Sequence, residues 1–186
     1  MPNMRIIGGT YRGKKLISPN YEGVRPTSDR TREAVFNILY SLLPQEWGVY
    51  RLLEVFTGSG AFSLEAISRG VSKVCMVDLD LTAAQKNVAL FPKESDKLKL
   101  LKADGTKLPE AKEKYNLYFS DAPYNQNLSE KALAEAAEKG WLEQGAVCVI
   151  EVHKSENLVP PAGFDQLDER IYGIAKILIF KYIGIE

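Results

Sequence analysis

The chain has 186 residues, 45% hydrophobic and 26% charged, with 24 Lys and Arg balanced by 24 Asp and Glu. This suits one globular domain with a sizeable core and excludes a disordered, collagen-like or coiled-coil chain. The charge is unevenly spread: residues 1–32 hold seven Lys/Arg against two Asp/Glu, a net of +5, which leaves −5 for the rest. A basic segment on an acidic body can turn one face toward phosphates or can simply be solvated. No apolar run approaches the roughly 20 residues of a membrane-spanning helix, and Met1 to Gly8 lacks a signal-peptide core. Cys75 and Cys148 lie in apolar runs, as reduced core thiols of a cytoplasmic protein would. One His and two Cys leave no ligand set for zinc.

In chain order, residues 4–17 read as a short β-hairpin around Gly8-Gly9. Ser28 or Asp29 then caps a helix with apolar positions Ala34, Val35, Ile38, Leu39 and Leu42, stopped by Pro44. Leu52 to Phe56 is a buried strand, Thr57-Gly58-Ser59-Gly60 a tight loop, and Ala61 to Arg69 a helix closed by Gly70. Strand Lys73 to Val77 ends at Asp78, and Asp80 caps a helix running to Phe91. Strand Lys97 to Leu101, a short helix over Pro109 to Lys114 and strand Asn116 to Ser120 come next. Ser129 caps a helix to Lys139, and Ala146 to Val152 is another apolar strand. Phe164 to Glu169 and Ala175 to Ile183 read as an antiparallel pair. Alternating strands and helices predict one doubly wound, mostly parallel seven-stranded α/β sheet. A hairpin extension (1–24) would precede the core (25–186). Trp47, Trp141 and Phe164 are expected to pack the sheet, and His153 to sit at its surface without a chemical role.

Two loops carry chemistry. Glu54-Val55-Phe56-Thr57-Gly58-Ser59-Gly60 follows the first buried strand and opens a helix, where doubly wound sheets bind nucleotides. Gly58 and Gly60 permit close backbone approach, although Ser63 stands where a dinucleotide fingerprint wants Gly or Ala. Asp78, about 20 residues beyond Gly58, is placed to accept both hydroxyls of a ribose; Leu79 follows it. Glu54 would repel a pyrophosphate but could accept from the ammonium group of S-adenosylmethionine. A structural ion pair is the other reading of Glu54. Asp104, beside Gly105, could meet an adenine amino group or be a turn residue. Ser120-Asp121-Ala122-Pro123-Tyr124 ends the fourth strand, which neighbours the first in a 3-2-1-4-5 order, so both loops would open into one crevice.

Asp121-Ala122-Pro123-Tyr124 is one residue from the Asp-Pro-Pro-Tyr signature of methyltransferases acting on exocyclic base amines. The chain more closely resembles the RsmD family of bacterial small-subunit ribosomal RNA guanine-N2 methyltransferases. The likeness runs nearly end to end. It covers Arg5-Ile6-Ile7-Gly8-Gly9, Arg12-Gly13-Lys14-Lys15-Leu16, Arg25 to Glu33, Phe36-Asn37, Phe56 to Gly60 and Ile171-Tyr172-Gly173. It implies a Rossmann-like class I fold, S-adenosylmethionine as donor and a guanine N2 in ribosomal RNA as acceptor. It also implies that Arg25 and Thr27 border the donor site, with no metal, no membrane and a monomeric enzyme. Two departures stand out: Glu54 where the family commonly has Asp, and Ala122 for the first Pro of the signature.

In that mechanism Asp121 and the Ala122 carbonyl hold the amine, and Tyr124 stacks on the base. Because Pro123 follows, Ala122 stays biased toward extended backbone. Arg5, Arg12, Lys14, Lys15, Arg30 and Arg32 are candidates to grip RNA phosphates. Two alternatives stand beside this reading: a DNA adenine-N6 or cytosine-N4 methyltransferase, and a donor- or RNA-binding homologue without turnover.

Overall fold

The structure, a computed structural model, describes residues 4–19, 28–44 and 46–185. Its elements are α1 (Asp29–Leu42), β1 (Arg51–Val55), α2 (Ala61–Ser68), β2 (Lys73–Asp78), α3 (Thr82–Val88), β3 (Leu98–Lys102), β4 (Tyr115–Asp121), α4 (Leu128–Glu138), β5 (Leu142–His153), β6 (Phe164–Tyr172) and β7 (Ala175–Tyr182). The seven strands form one sheet in the order β3-β2-β1-β4-β5-β7-β6. The first five are parallel, as helical crossovers require, and β5-β7-β6 is antiparallel.

Strand alternation sorts the core into two faces. Leu53, Val55, Cys75, Tyr118, Cys148 and Ile150 pack on one side with Leu133 and Ala136 of α4. Leu52, Met76, Phe119, Val149 and Ile177 pack on the other with α1 and α2. On the second face Phe36 stacks on Phe62 with centroids 4.8 Å apart, and Phe62 stacks in turn on Phe119 at 3.7 Å. Aromatic pairing of this kind is worth about 1 kcal/mol beyond the area it buries. Phe119 is the β4 partner of Glu54 and lies two residues before Asp121, so the stack braces both strand tips. Cys75 and Cys148 are free and buried, and burial pushes the Cys75 thiol up to about 11.

Ser28 caps α1 by accepting from Thr31 N at 3.0 Å, and the helix ends before Pro44. Four expected features differ. Helix α3 ends at Val88, short of Phe91, and its cap position is Leu81 rather than Asp80, whose Oδ1 accepts from Thr82 N at 2.9 Å. The amino-terminal segment is held by a single antiparallel bridge, Arg5 to Lys15, with backbone bonds from Ile6 N to Lys14 O and Leu16 N to Met4 O, so it is less regular than a hairpin. Residues 109–114 form no helix, because tertiary partners take their backbone groups. Trp141 Nε1 donates to Pro109 O at 2.8 Å, and Ala111 N to Lys139 O at 2.9 Å. Ser129 is not the cap of α4; left-handed Asn127 (φ 54°) precedes the helix, and Ser129 is buried within its first turn. The expected boundary between extension and core, near residue 24, lies outside the described residues.

All eight residues of α2 are buried, Glu65 included. Its Oε2 accepts from Ile7 N (2.9 Å) and Arg32 Nε (3.4 Å), and its Oε1 from Gly8 N (2.9 Å) and Arg69 Nε (2.8 Å). A buried carboxylate is tolerable only when its acceptors are filled in this way. Glu65 thereby ties the amino-terminal segment, α1 and α2 together.

Candidate active site

The register places both predicted loops at one edge. Val55, the last residue of β1, pairs with Ser120 in parallel β4, so the turn over residues 56–60 and the loop from Asp121 leave adjacent strands in the same direction. Adjacent strands lie about 4.8 Å apart. Alternation puts Glu54, Asp121 and Glu151 on the α1 side of the sheet, with Asp121 opposite Glu151 in β5.

The first turn is tightly held. Thr57 N donates to Val77 O (3.1 Å) and Gly60 N to Thr57 O (2.8 Å). Phe56, Gly58 and Gly60 all have positive φ, at 61°, 54° and 76°. A side chain on Gly60 would press on Met76 Sδ at 3.1 Å, whereas one on Gly58 would meet nothing within 4 Å, so the turn is packed beneath Gly60 and open above Gly58. Glu54 is buried below it. Thr57 Oγ1 (2.8 Å), Ser63 N (3.2 Å) and Ser63 Oγ all donate to its Oε2. Ser63 therefore supplies hydrogen bonds where a dinucleotide fingerprint would have a glycine. Burial pushes the Glu54 carboxyl up to about 7, against the Ser63 and Thr57 hydrogen bonds and with help from the charge of Asp78. Among the described residues no Lys or Arg pairs with Glu54.

Asp78 ends β2 beside this turn, and its Oδ2 accepts from Gly58 N at 2.8 Å. That bond locks the carboxylate against the glycine turn. Leu79 follows it with 64% of its surface exposed. Asp104 accepts from Thr106 N (2.8 Å) and Thr106 Oγ1 (2.7 Å), and these bonds hold its carboxyl below the usual range. It is thus a turn residue with its carboxylate partly exposed. Gly105 is buried against Val55, so close that a side chain there would lie 2.2 Å from Val55 Cγ1.

At the second loop Ala122 is buried and Pro123 exposed. Tyr124 donates its hydroxyl to Glu151 Oε1 at 2.9 Å, and its ring meets His153 edge-on at 5.5 Å. Glu151 was missed by sequence reasoning although it carried a signal. It interrupts the apolar run Val149-Ile150-Glu151-Val152 as Glu54 interrupts Leu52-Leu53-Glu54-Val55.

The basic residues scatter. Arg5, Arg12, Lys15 and Arg30 are exposed, and Lys14 Nζ lies 4.7 Å above the Phe91 ring. Arg32 is corrected: it is 0% exposed, bonded to Asp29 at 2.9 Å, to Glu65 and to Arg5 O, and cannot reach a phosphate. The helical period of α1 turns it inward, where charge alone would have kept it in water. Arg25 and Thr27 lie outside the described residues. Among the described residues no His, Cys, Asp or Glu cluster could hold a metal, and no helix is long and apolar enough to cross a membrane.

A glycine turn and a carboxylate-tipped neighbour at the switch point of such a sheet define a Rossmann-like methyltransferase. The putative methyltransferase yhhF from Escherichia coli superposes with a TM-score of 0.81 at 27% identity, covering 98% of this chain and 99% of that one. Residues 4–181 match the family model described as Conserved hypothetical protein 95, so the chain belongs to that family, the RsmD family. It is 33% identical to the Ribosomal RNA small subunit methyltransferase D of Haemophilus influenzae, over 96% of this chain and 93% of that protein. It is also 33% identical to the protein of that name from Escherichia coli K12, over 91% and 85% respectively.

Proposed function

We propose that this protein transfers a methyl group from S-adenosylmethionine to the exocyclic N2 of a guanine in small-subunit ribosomal RNA. The observation that carries the reading is the parallel pairing of β1 and β4. It sets a cradle for a cationic nucleoside one strand away from a carboxylate suited to an amine. The names of the curated relatives point to ribosomal RNA as the substrate class.

The residues present fit the donor. Glu54, buried beneath the turn and held there through Oε2, accepts from the ammonium group, Asp78 from the ribose hydroxyls, and exposed Leu79 covers the adenine. Phe56, Gly58 and Gly60 shape the turn beneath it, Asp104 and Gly105 close the adenine end, and Arg25 and Thr27 border the methionine end. When bound, S-adenosylmethionine supplies a methyl group on a sulfonium, an electrophile with a neutral leaving group.

An exocyclic amine conjugated with its ring is a poor nucleophile. Asp121 and the Ala122 carbonyl accept from its two N–H groups and turn the lone pair toward the methyl carbon. As the new N–C bond forms, the Asp121 carboxylate stabilises the positive charge developing on nitrogen and takes up the proton it sheds. Positioning and charge stabilisation of this kind supply several kcal/mol. Pro123 stiffens the loop, and the Tyr124 ring, fixed through Glu151, stacks on the base. A paired base cannot reach this crevice, so the target is unpaired or extruded. Arg5, Arg12, Lys14 and Lys15 attract RNA phosphates along the flank of α2. The enzyme acts as a monomer in the cytoplasm.

The test offers isotopically labelled donor with undermodified small subunits, naked small-subunit RNA or DNA. Label on guanine N2 of RNA is expected. Label in DNA alone, or donor binding without transfer to any nucleic acid, overturns the reading.

A further inference from the structure

The proposed function leaves Ile171-Tyr172-Gly173 without a role. The register fixes where that segment lies. Asp121 pairs with Glu151, Glu151 with Ile177, and Ile177 with Arg170. Ile171 and Tyr172 therefore step past that row, toward the edge from which the Asp121–Tyr124 loop departs. Three strand spacings, about 14 Å, separate β4 from β6. There Ile171, Tyr172 and Gly173 form one wall of a cleft of about 410 Å³, and Ser28, which caps α1, with Arg30 and Thr31 of its first turn forms the other. The cleft thus joins segments from opposite ends of the chain.

Its walls are chemically distinct. Ser28 and Thr31 are already bonded to each other at 2.8 Å, so the helix start adds little. Arg30 is exposed and makes no ion pair with a described residue, whereas its neighbour Arg32 is buried and paired with Asp29 and Glu65. Tyr172 is half-buried and seated against the α1-side core, which holds its ring in place. Ile171 is 59% exposed. A fixed aromatic face, an apolar flank and a guanidinium suit a nucleotide: the base stacks and the phosphate pairs with the charge. At about 410 Å³ the cleft is at the small end of ligand pockets and fits one nucleotide, not a duplex.

We infer that this cleft holds a nucleotide flanking the target guanine, with its base on Tyr172 and its phosphate on Arg30. Anchoring the strand there presents the extruded guanine to Asp121. The inference rests on the reading that the substrate is RNA.

Arg30→Ala, Tyr172→Ala and Tyr172→Phe test it, in steady-state kinetics with naked undermodified small-subunit RNA and with assembled subunits, alongside donor calorimetry. Tyr172→Ala raises KM for RNA roughly tenfold, and Tyr172→Phe, which keeps the ring, restores it. Arg30→Ala reduces the log–log salt dependence of RNA binding by about 0.7. Both effects fall on KM more than on kcat, with donor affinity kept. If Tyr172→Ala loses donor binding through misfolding, the KM and salt slope of Arg30→Ala decide. Normal KM and salt slope in a protein whose wild type methylates RNA overturn the cleft but leave the proposed function standing. A defect with assembled subunits alone assigns the cleft to a ribosomal protein and overturns the inference. Absence of RNA methylation by the wild type removes both.

Discussion

The turn after β1 and the loop after β4 leave neighbouring strands at the same edge, yet the first is closed and the second open. In the first, Thr57, Ser59 and Gly60 are buried, Glu54 is held by three donors, and Gly58 N is bonded to Asp78. In the second, Pro123, Asn125, Gln126 and Asn127 are exposed, and Asn125 and Asn127 are left-handed at φ 61° and 54°. The contrast suits the two ligands proposed for these loops. A donor that is identical at every turnover suits a preformed cradle, where little ordering remains for binding to accomplish. A base swung out of a large RNA needs an accessible rim with only its acceptors fixed.

The largest effect should come from removing the acceptor carboxylate. Asp121→Ala is expected to lower kcat by roughly a hundredfold or more while donor affinity in calorimetry stays near wild type. Equal loss of both would erase the division between the two loops. Asp78→Ala should do the converse, raising the donor dissociation constant roughly tenfold to a hundredfold, because it removes charged hydrogen bonds and frees Gly58 N. Unchanged donor binding in that variant would misplace the ribose.

A third prediction uses pH. The Glu54 carboxyl is raised to about 7 by burial, so it is largely protonated in the folded protein below that pH. Its contribution to stability is full below its ordinary range near 4.5 and is lost as pH rises through about 7. Donor affinity runs the other way, because only the carboxylate attracts an ammonium group. Affinity should therefore climb between pH 6 and 8 (roughly, one unit either side of the titration). Glu54→Gln should flatten that climb and melt no lower than wild type at the alkaline end. An unaltered slope in Glu54→Gln would remove Glu54 from the donor site. The smallest effect is expected from Ala122→Pro, which keeps the carbonyl and stiffens the open loop. Its kcat should equal or modestly exceed that of wild type, and a collapse would show that the loop needs its present freedom.

Much of this was legible along the chain because period and punctuation are local properties. Apolar runs ending at Asp78 and Asp121, the glycines at 58 and 60, and the cap at Ser28 specified strand ends and turns with little reference to distant residues. The switch-point crevice followed from right-handed crossovers, which restrict the strand order to a few choices. What misled was everything that depends on a remote partner. Residues 109–114 have helical composition, but Trp141 and Lys139 claim their backbone groups. Arg32 looked like a phosphate ligand among other basic residues until Glu65, 33 positions away, drew it inward.

Sequence by itself determined the alternating α/β order, the two chemically loaded loops and the polarity of the charge. These are set by side-chain periodicity and turn chemistry within a few residues. Tertiary structure alone decided which carboxylates are solvated and which are enclosed. It gave Glu65 an anchoring role, fixed Tyr124 through Glu151, and set Arg30 across a cleft from Tyr172. The physical reason is that burial and pairing of charge are properties of neighbours in space, and a linear pattern does not record who those neighbours are.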